Sequence, residues 1–162
     1  MGQPGPTPDA GVEPFCCLPA SLHLCLIPSL SAKEVNYDDL VIRDGIYYEK
    51  FKNVPFKGTM YRLIITNTTY ARVPVGDIKN GLKEGEWQEY HDNGQLWTKG
   101  SYKRGVKEGV WLNYYDNGQL FEKGYYEKGQ EQGVWEKYWS EDGKLRKKIS
   151  YNNGELVSEE EF

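Results

Sequence analysis

The chain has 162 residues, with 20 Lys and Arg against 24 Asp and Glu, and a formal net charge of -4. That length fits one domain or a short repeat array. Hydrophobic residues make up 38%, modest for a thick core, yet 18 Gly, 13 Tyr, 5 Trp and 5 Phe are present, which excludes a disordered chain and points to thin β-structure with many turns. The acidic balance argues against a phosphate-tracking nucleic-acid binder and against docking on anionic lipid.

The first 32 residues contain no Lys or Arg but hold all three cysteines, Cys16, Cys17 and Cys25. Leu18 to Ala32, LPASLHLCLIPSLSA, is apolar and ends in small residues, like a secretory signal peptide cut near Ser31 or Ala32. It is too short, and too interrupted by Pro19 and Pro28, to cross a bilayer as a helix. The basic segment of a signal peptide is replaced by GQPGPTPDAGVEP, so a disordered tail also fits residues 1–32. A signal peptide implies an exported or periplasmic protein without cysteines; a disordered tail implies a cytoplasmic one.

Residues 33–57 read as an N-terminal cap, with a hairpin suggested by Asp44-Gly45-Ile46-Tyr47-Tyr48. A decayed repeat follows near 58–84. Phe56-Lys57-Gly58-Thr59-Met60 stands where later units have Gly-x-Trp, and Leu63-Ile64-Ile65 reads as a buried strand. Asn67-Thr68-Thr69 takes the turn position and also spells a glycosylation sequon, while Asn80-Gly81 closes the unit. Irregular end units are expected, because an array has to hide its edges.

From there the chain repeats every 24 residues, in units near 85–108, 109–132 and 133–156. Trp87, Trp111 and Trp135 keep that step, as do Tyr90, Tyr114 and Tyr138. Asn93-Gly94 recurs as Asn117-Gly118 and then, one residue later, as Asp142-Gly143. Asn-Gly between alternating aromatic and polar residues signals a hairpin with a type I′ turn. Pairing outward sets His91 opposite Leu96, Tyr90 opposite Trp97 and Trp87 opposite Gly100; the second unit gives Tyr115–Leu120, Tyr114–Phe121 and Trp111–Gly124. In the third, a three-residue loop with a left-handed glycine restores Trp135 opposite Ile149. The glycine facing Trp87 and Trp111 lets the indole lie over the neighbouring strand.

Strand alternation then sorts two faces. One, carrying Trp87, Leu96, Gly100, Tyr102, Trp111, Tyr115, Leu120, Gly124 and Tyr126, is expected to be packed. The other carries the pairs Tyr90/Trp97 and Tyr114/Phe121 among Gln88, Lys99 and Lys123. Residues 157–162 form an acidic tail whose Glu159-Glu160-Glu161 protects the last edge.

Motifs such as KEGEWQEYHDNGQLWTKGSYKRG and KEGVWLNYYDNGQLFEKGYYEKG resemble the bacterial variant of the membrane occupation and recognition nexus (MORN) repeat. Asp39 to Leu156 resembles the YwqK-type family. The resemblance implies a curved single-layer sheet of successive hairpins, a protein-binding role and, at family level, an antitoxin of a toxin–antitoxin system.

No catalytic or metal-binding constellation stands out. After Ala32 the only histidine is His91, there is no cysteine, and Ser101, Ser140, Ser150 and Ser158 lie in no elbow motif. The Lys-Glu-Gly steps at 83–85 and 107–109 read as loop residues. The expected fold is therefore all-β, an elongated single-layer antiparallel array of hairpins, without cofactor or metal. Trp87, Trp111, Trp135, Gly94, Gly118, Gly143, Gly100 and Gly124 form the repeat scaffold. Tyr90, Trp97, Tyr114, Phe121 and Tyr138 are the expected contacts for a partner protein, a toxin if the family analogy holds. The competing reading is an exported envelope scaffold that self-associates or binds a surface polymer.

Overall fold

The computed structural model describes residues 33–65 and 70–162. The leader and the Asn67-Thr68-Thr69 sequon therefore lie outside the described residues. The described chain is nearly all strand, with one 3-10 turn at Tyr37–Asp39.

Twelve strands are described: β1 (Glu34–Asn36), β2 (Leu40–Arg43), β3 (Ile46–Glu49), β4 (Gly58–Ile65), β5 (Tyr70–Lys79), β6 (Leu82–Tyr90), β7 (Leu96–Lys103), β8 (Val106–Tyr114), β9 (Leu120–Glu127), β10 (Gln130–Tyr138), β11 (Leu145–Asn152) and β12 (Glu155–Glu161). β4 to β12 are neighbours in chain order within one sheet, and every pair is antiparallel. β1 extends this sheet as a parallel partner of β4, and β2–β3 forms a separate hairpin.

The type I′ turns lie at the opposite end of the hairpins from the expected one. Asn80-Gly81, Arg104-Gly105, Lys128-Gly129 and Asn153-Gly154 have positive φ at both residues, as does Asp44-Gly45 between β2 and β3. Asn93-Gly94 and Asn117-Gly118 are different. Only the glycines there have positive φ, +87° and +82°. Gly94 N–H donates to the His91 carbonyl at 3.0 Å, and His91 N–H donates to the Gln95 carbonyl at 2.8 Å. The loop is thus three residues, a type I turn closed by a left-handed glycine. The third unit has four, Ser140 to Gly143, bracketed by the Trp139 N–H bond to the Lys144 carbonyl at 2.9 Å.

The extra turn residue shifts the pairing. Trp87–Gly100, Trp111–Gly124 and Trp135–Ile149 stand opposite as expected, but Tyr90 pairs with Leu96, Tyr114 with Leu120 and Tyr138 with Leu145. Trp97, Phe121 and Arg146 are each skipped, so each occupies a β-bulge.

The core starts beneath the cap. Val35, Phe56, Met60, Val75, Ile78 and Trp87 are buried together, with Leu40, Tyr47 and Tyr102 against them. Met60 takes the tryptophan position of the decayed unit, opposite Gly76. The cap is tied to the first I′ turn through Tyr47 N–H to the Gly81 carbonyl, 2.9 Å, and Gly81 N–H to the Phe56 carbonyl, 2.7 Å. In the run Leu63-Ile64-Ile65 only Ile64 is buried; the strand alternates and has one solvent face. The acidic residues 159–161 belong to β12 itself, where Glu159 and Glu161 ion-pair with Lys147.

Candidate functional site

The site rests on a ladder of rings. Trp87, Tyr102, Trp111, Tyr126, Trp135 and Tyr151 follow one another edge-to-face, with centroids 5.7, 5.1, 5.9, 5.0 and 6.1 Å apart. The three indoles are buried. Each lies over a glycine of the preceding strand: Trp87 over Gly76, Trp111 over Gly100 and Trp135 over Gly124. The glycine opposite a tryptophan in its own hairpin thus makes room for the tryptophan of the next. Ile149 fills the equivalent place opposite Trp135, where no further tryptophan arrives.

Polar groups on the same face join the repeats. Lys83 lies over the Trp87 and Tyr102 rings at 4.3 and 4.8 Å, and Lys107 over Trp111 and Tyr126 at 4.3 and 4.7 Å. Burial pushes the Lys83 ammonium pKa down, with Glu89 opposing it. Burial pushes the Tyr102 phenol up to about 12, and it raises Tyr126 as well. Trp87 Nε1 donates to Glu89 at 3.1 Å. Trp111 and Trp135 have no such acceptor: Asn113 is engaged by Thr98 and Glu122, and the third unit has Lys137, itself a donor.

The Lys-Glu-Gly residues are strand, not loop. Glu84 accepts the Arg104 N–H at 2.7 Å and Glu108 accepts the Lys128 N–H at 2.9 Å, each clasping the next I′ turn. The far turns are joined in the same way. Asn93 Nδ2 donates to the Asp116 carbonyl at 2.6 Å, and Asn117 Nδ2 to the Ser140 carbonyl at 3.0 Å. His91 Nε2 meets the Tyr114 carbonyl at 2.9 Å and so carries the proton; Tyr115 OH donates to the Tyr138 carbonyl, also at 2.9 Å.

These clasps hold a second row of rings at the far-turn edge. His91 sits 6.1 Å from Trp97, Tyr115 stands 5.0 Å from Phe121 edge-to-face, and Arg146 lies 4.4 Å from the Trp139 centroid. Trp97 and Trp139 are 48% and 41% exposed, large rings left half in water. His91, Trp97, Tyr114, Tyr115 and Phe121 line a shallow open notch together with Asp116. A cleft of about 530 Å³ between cap and sheet is lined by Tyr37, Tyr47, Arg62, Lys83, Glu89 and Trp97.

The five expected contact residues therefore separate. Trp97 and Phe121 lie on the ladder face, because the bulge turns them to the side of Glu89 and Glu122. Tyr90, Tyr114 and Tyr138 point the other way and pair with Leu96, Leu120 and Leu145, which the bulge removes from the packed face. Tyr90 OH donates to Gln88 at 2.9 Å and Tyr138 OH to Glu136 at 2.7 Å. Lys123 Nζ is 2.7 Å from Glu136 and lowers its carboxyl pKa. His91, Tyr115, Trp139 and Arg146 were not among the expected contacts, although the 24-residue spacing of the first three beside the turn was a signal for them.

Among the described residues no group of His, Cys, Asp and Glu is placed to hold a metal, and no helix is long and apolar enough to cross a membrane. No curated protein and no solved structure matches the chain. Residues 83–104, 107–128 and 133–153 each match the model of the MORN repeat variant, so these three segments of the sheet are similar to MORN-variant repeats.

Proposed function

We propose that the protein is a non-catalytic binding module whose partner, another protein, rests on the far-turn edge of the ladder face. The observation that carries this is the row His91–Trp97, Tyr115–Phe121, Trp139–Arg146, with two half-exposed tryptophans on backbone clasped from repeat to repeat. Rings fixed on strands offer contact area with little side-chain entropy left to lose, and Trp, Tyr and Arg dominate binding hot spots. The finer form of the reading is an antitoxin that covers a toxin's active surface; it draws its support from the family resemblance.

Capture from source-organism lysate, with residues 33–162 as bait, tests the module. The reading expects one stoichiometric protein on the wild-type bait, retained by Tyr90→Ala/Tyr138→Ala and lost by Trp97→Ala/Phe121→Ala. Loss with the Tyr90/Tyr138 pair alone would move the site to the opposite face. An empty bait would refute the module.

A further inference from the structure

We infer that the far-turn row takes an extended, basic, proline-rich segment, laid across the strands in the polyproline II conformation; this rests on the protein-binding reading above. The first argument is a match of lengths. Trp97, Phe121 and Arg146 stand on β7, β9 and β11, two strand spacings apart, or about 9.6 Å per repeat. Polyproline II advances about 9.3 Å in each three-residue turn, so one face of it meets a ring pair at the first two repeats and the Trp139 ring with Arg146 at the third.

The second argument is shape. The rings at the first two steps are not parallel: His91 and Trp97 make 47°, and Tyr115 and Phe121 make 63°. These two neighbouring pairs, with Tyr114, line the open notch. Splayed aromatic walls are how prolines are held without any ladder hydrogen bond, which a prolyl nitrogen cannot give.

The third argument is charge. Asp116 stands exposed in the lining of that notch and takes part in none of the ion pairs among the described residues. In the third repeat Ser140 takes the place of Asp116, and the exposed carboxylate is that of the next residue, Glu141. Asp92, in the first, is held by Arg62 at 3.1 Å. Lys137, over the Phe121 ring at 5.6 Å, is matched by Glu122, so Asp116 is the uncompensated charge at the notch; it selects Lys or Arg in the ligand residue beside it and disfavours an acidic one.

Calorimetric titration of the full chain with a peptide of three Arg-Pro-Pro triplets tests this. Peptides of Arg-Gly-Gly and Glu-Pro-Pro triplets serve as controls. The Arg-Pro-Pro peptide is expected to bind at least tenfold tighter than either. Trp97→Ala and Phe121→Ala should each weaken it at least tenfold, Asp116→Asn about threefold with a shallower salt dependence, and Tyr90→Ala not at all. Melting curves confirm that each variant is folded. Absence of binding, equal binding of the Arg-Gly-Gly peptide, or unchanged affinity in folded Trp97→Ala would overturn the inference. The bait comparison decides the wider reading separately, since it needs no particular peptide.

Discussion

A Cβ built on Gly100 would lie 2.2 Å from Cδ2 of Trp111, a side chain that belongs to the next hairpin. That overlap is how one repeat recognises its successor. The absent methyl creates the seat, the indole fills it, and the Tyr102 and Tyr126 rings close on either side.

Gly100→Ala should therefore destabilise the protein by about 2–3 kcal/mol through overpacking, since the indole has no other place in a one-layer sheet. Gly124→Ala should behave alike, because its Cβ would fall 2.0 Å from Trp135. Urea unfolding gives both values. A loss under about 0.5 kcal/mol would mean that the indole is free to move.

Trp111→Ala should cost about 3–5 kcal/mol, as expected for a buried tryptophan. Trp97→Ala should cost under about 1 kcal/mol, because its ring is half exposed. Parallel melts of the two variants separate scaffold from surface directly.

Glu108→Ala should remove the acceptor for the Lys128 N–H and cost about 1 kcal/mol. Glu127→Ala is the natural control, being exposed on a neighbouring strand end and in none of the described side-chain bonds. Equal melting temperatures for the two variants would show that the clasp contributes nothing.

Stability should depend on pH at both extremes. Lys123 holds the Glu136 carboxyl below its usual 4.5, so its contribution is present above that value and is lost as pH falls through the lower, folded value. Glu136→Gln should flatten the acid limb of the melting curve. Tyr102 titrates near 12 instead of 10.0, so its contribution is whole below pH 10 and fades as pH rises through 12. Tyr102→Phe should remove a late component from the phenolate absorbance titration.

The repeat itself was legible because tryptophan, Asn-Gly and X-Gly recur at one spacing, and three copies make chance coincidence small. The pairs Trp87–Gly100, Trp111–Gly124 and Trp135–Ile149 followed from it. The assignment of faces near the turn did not. It hinged on whether the Asn93-Gly94 loop holds two residues or three, and Asn-Gly suits both. Asn93 serves here as an acceptor for Gln95 N–H and a donor to Asp116, which one hairpin alone cannot reveal. That single residue sends Trp97 to the ladder face and Leu96 to the other. The same limit hid Glu84 and Glu108, whose partners lie one repeat away.

The central claim is that a partner covers the far-turn edge of the ladder face. Indole N–H resonances test it most directly, because the chain has five tryptophans and the account divides them. In a spectrum of the chain saturated with its captured partner, the signals of Trp97 and Trp139 should shift, while those of the buried Trp87, Trp111 and Trp135 stay in place. A complex that leaves Trp97 and Trp139 unmoved would contradict it.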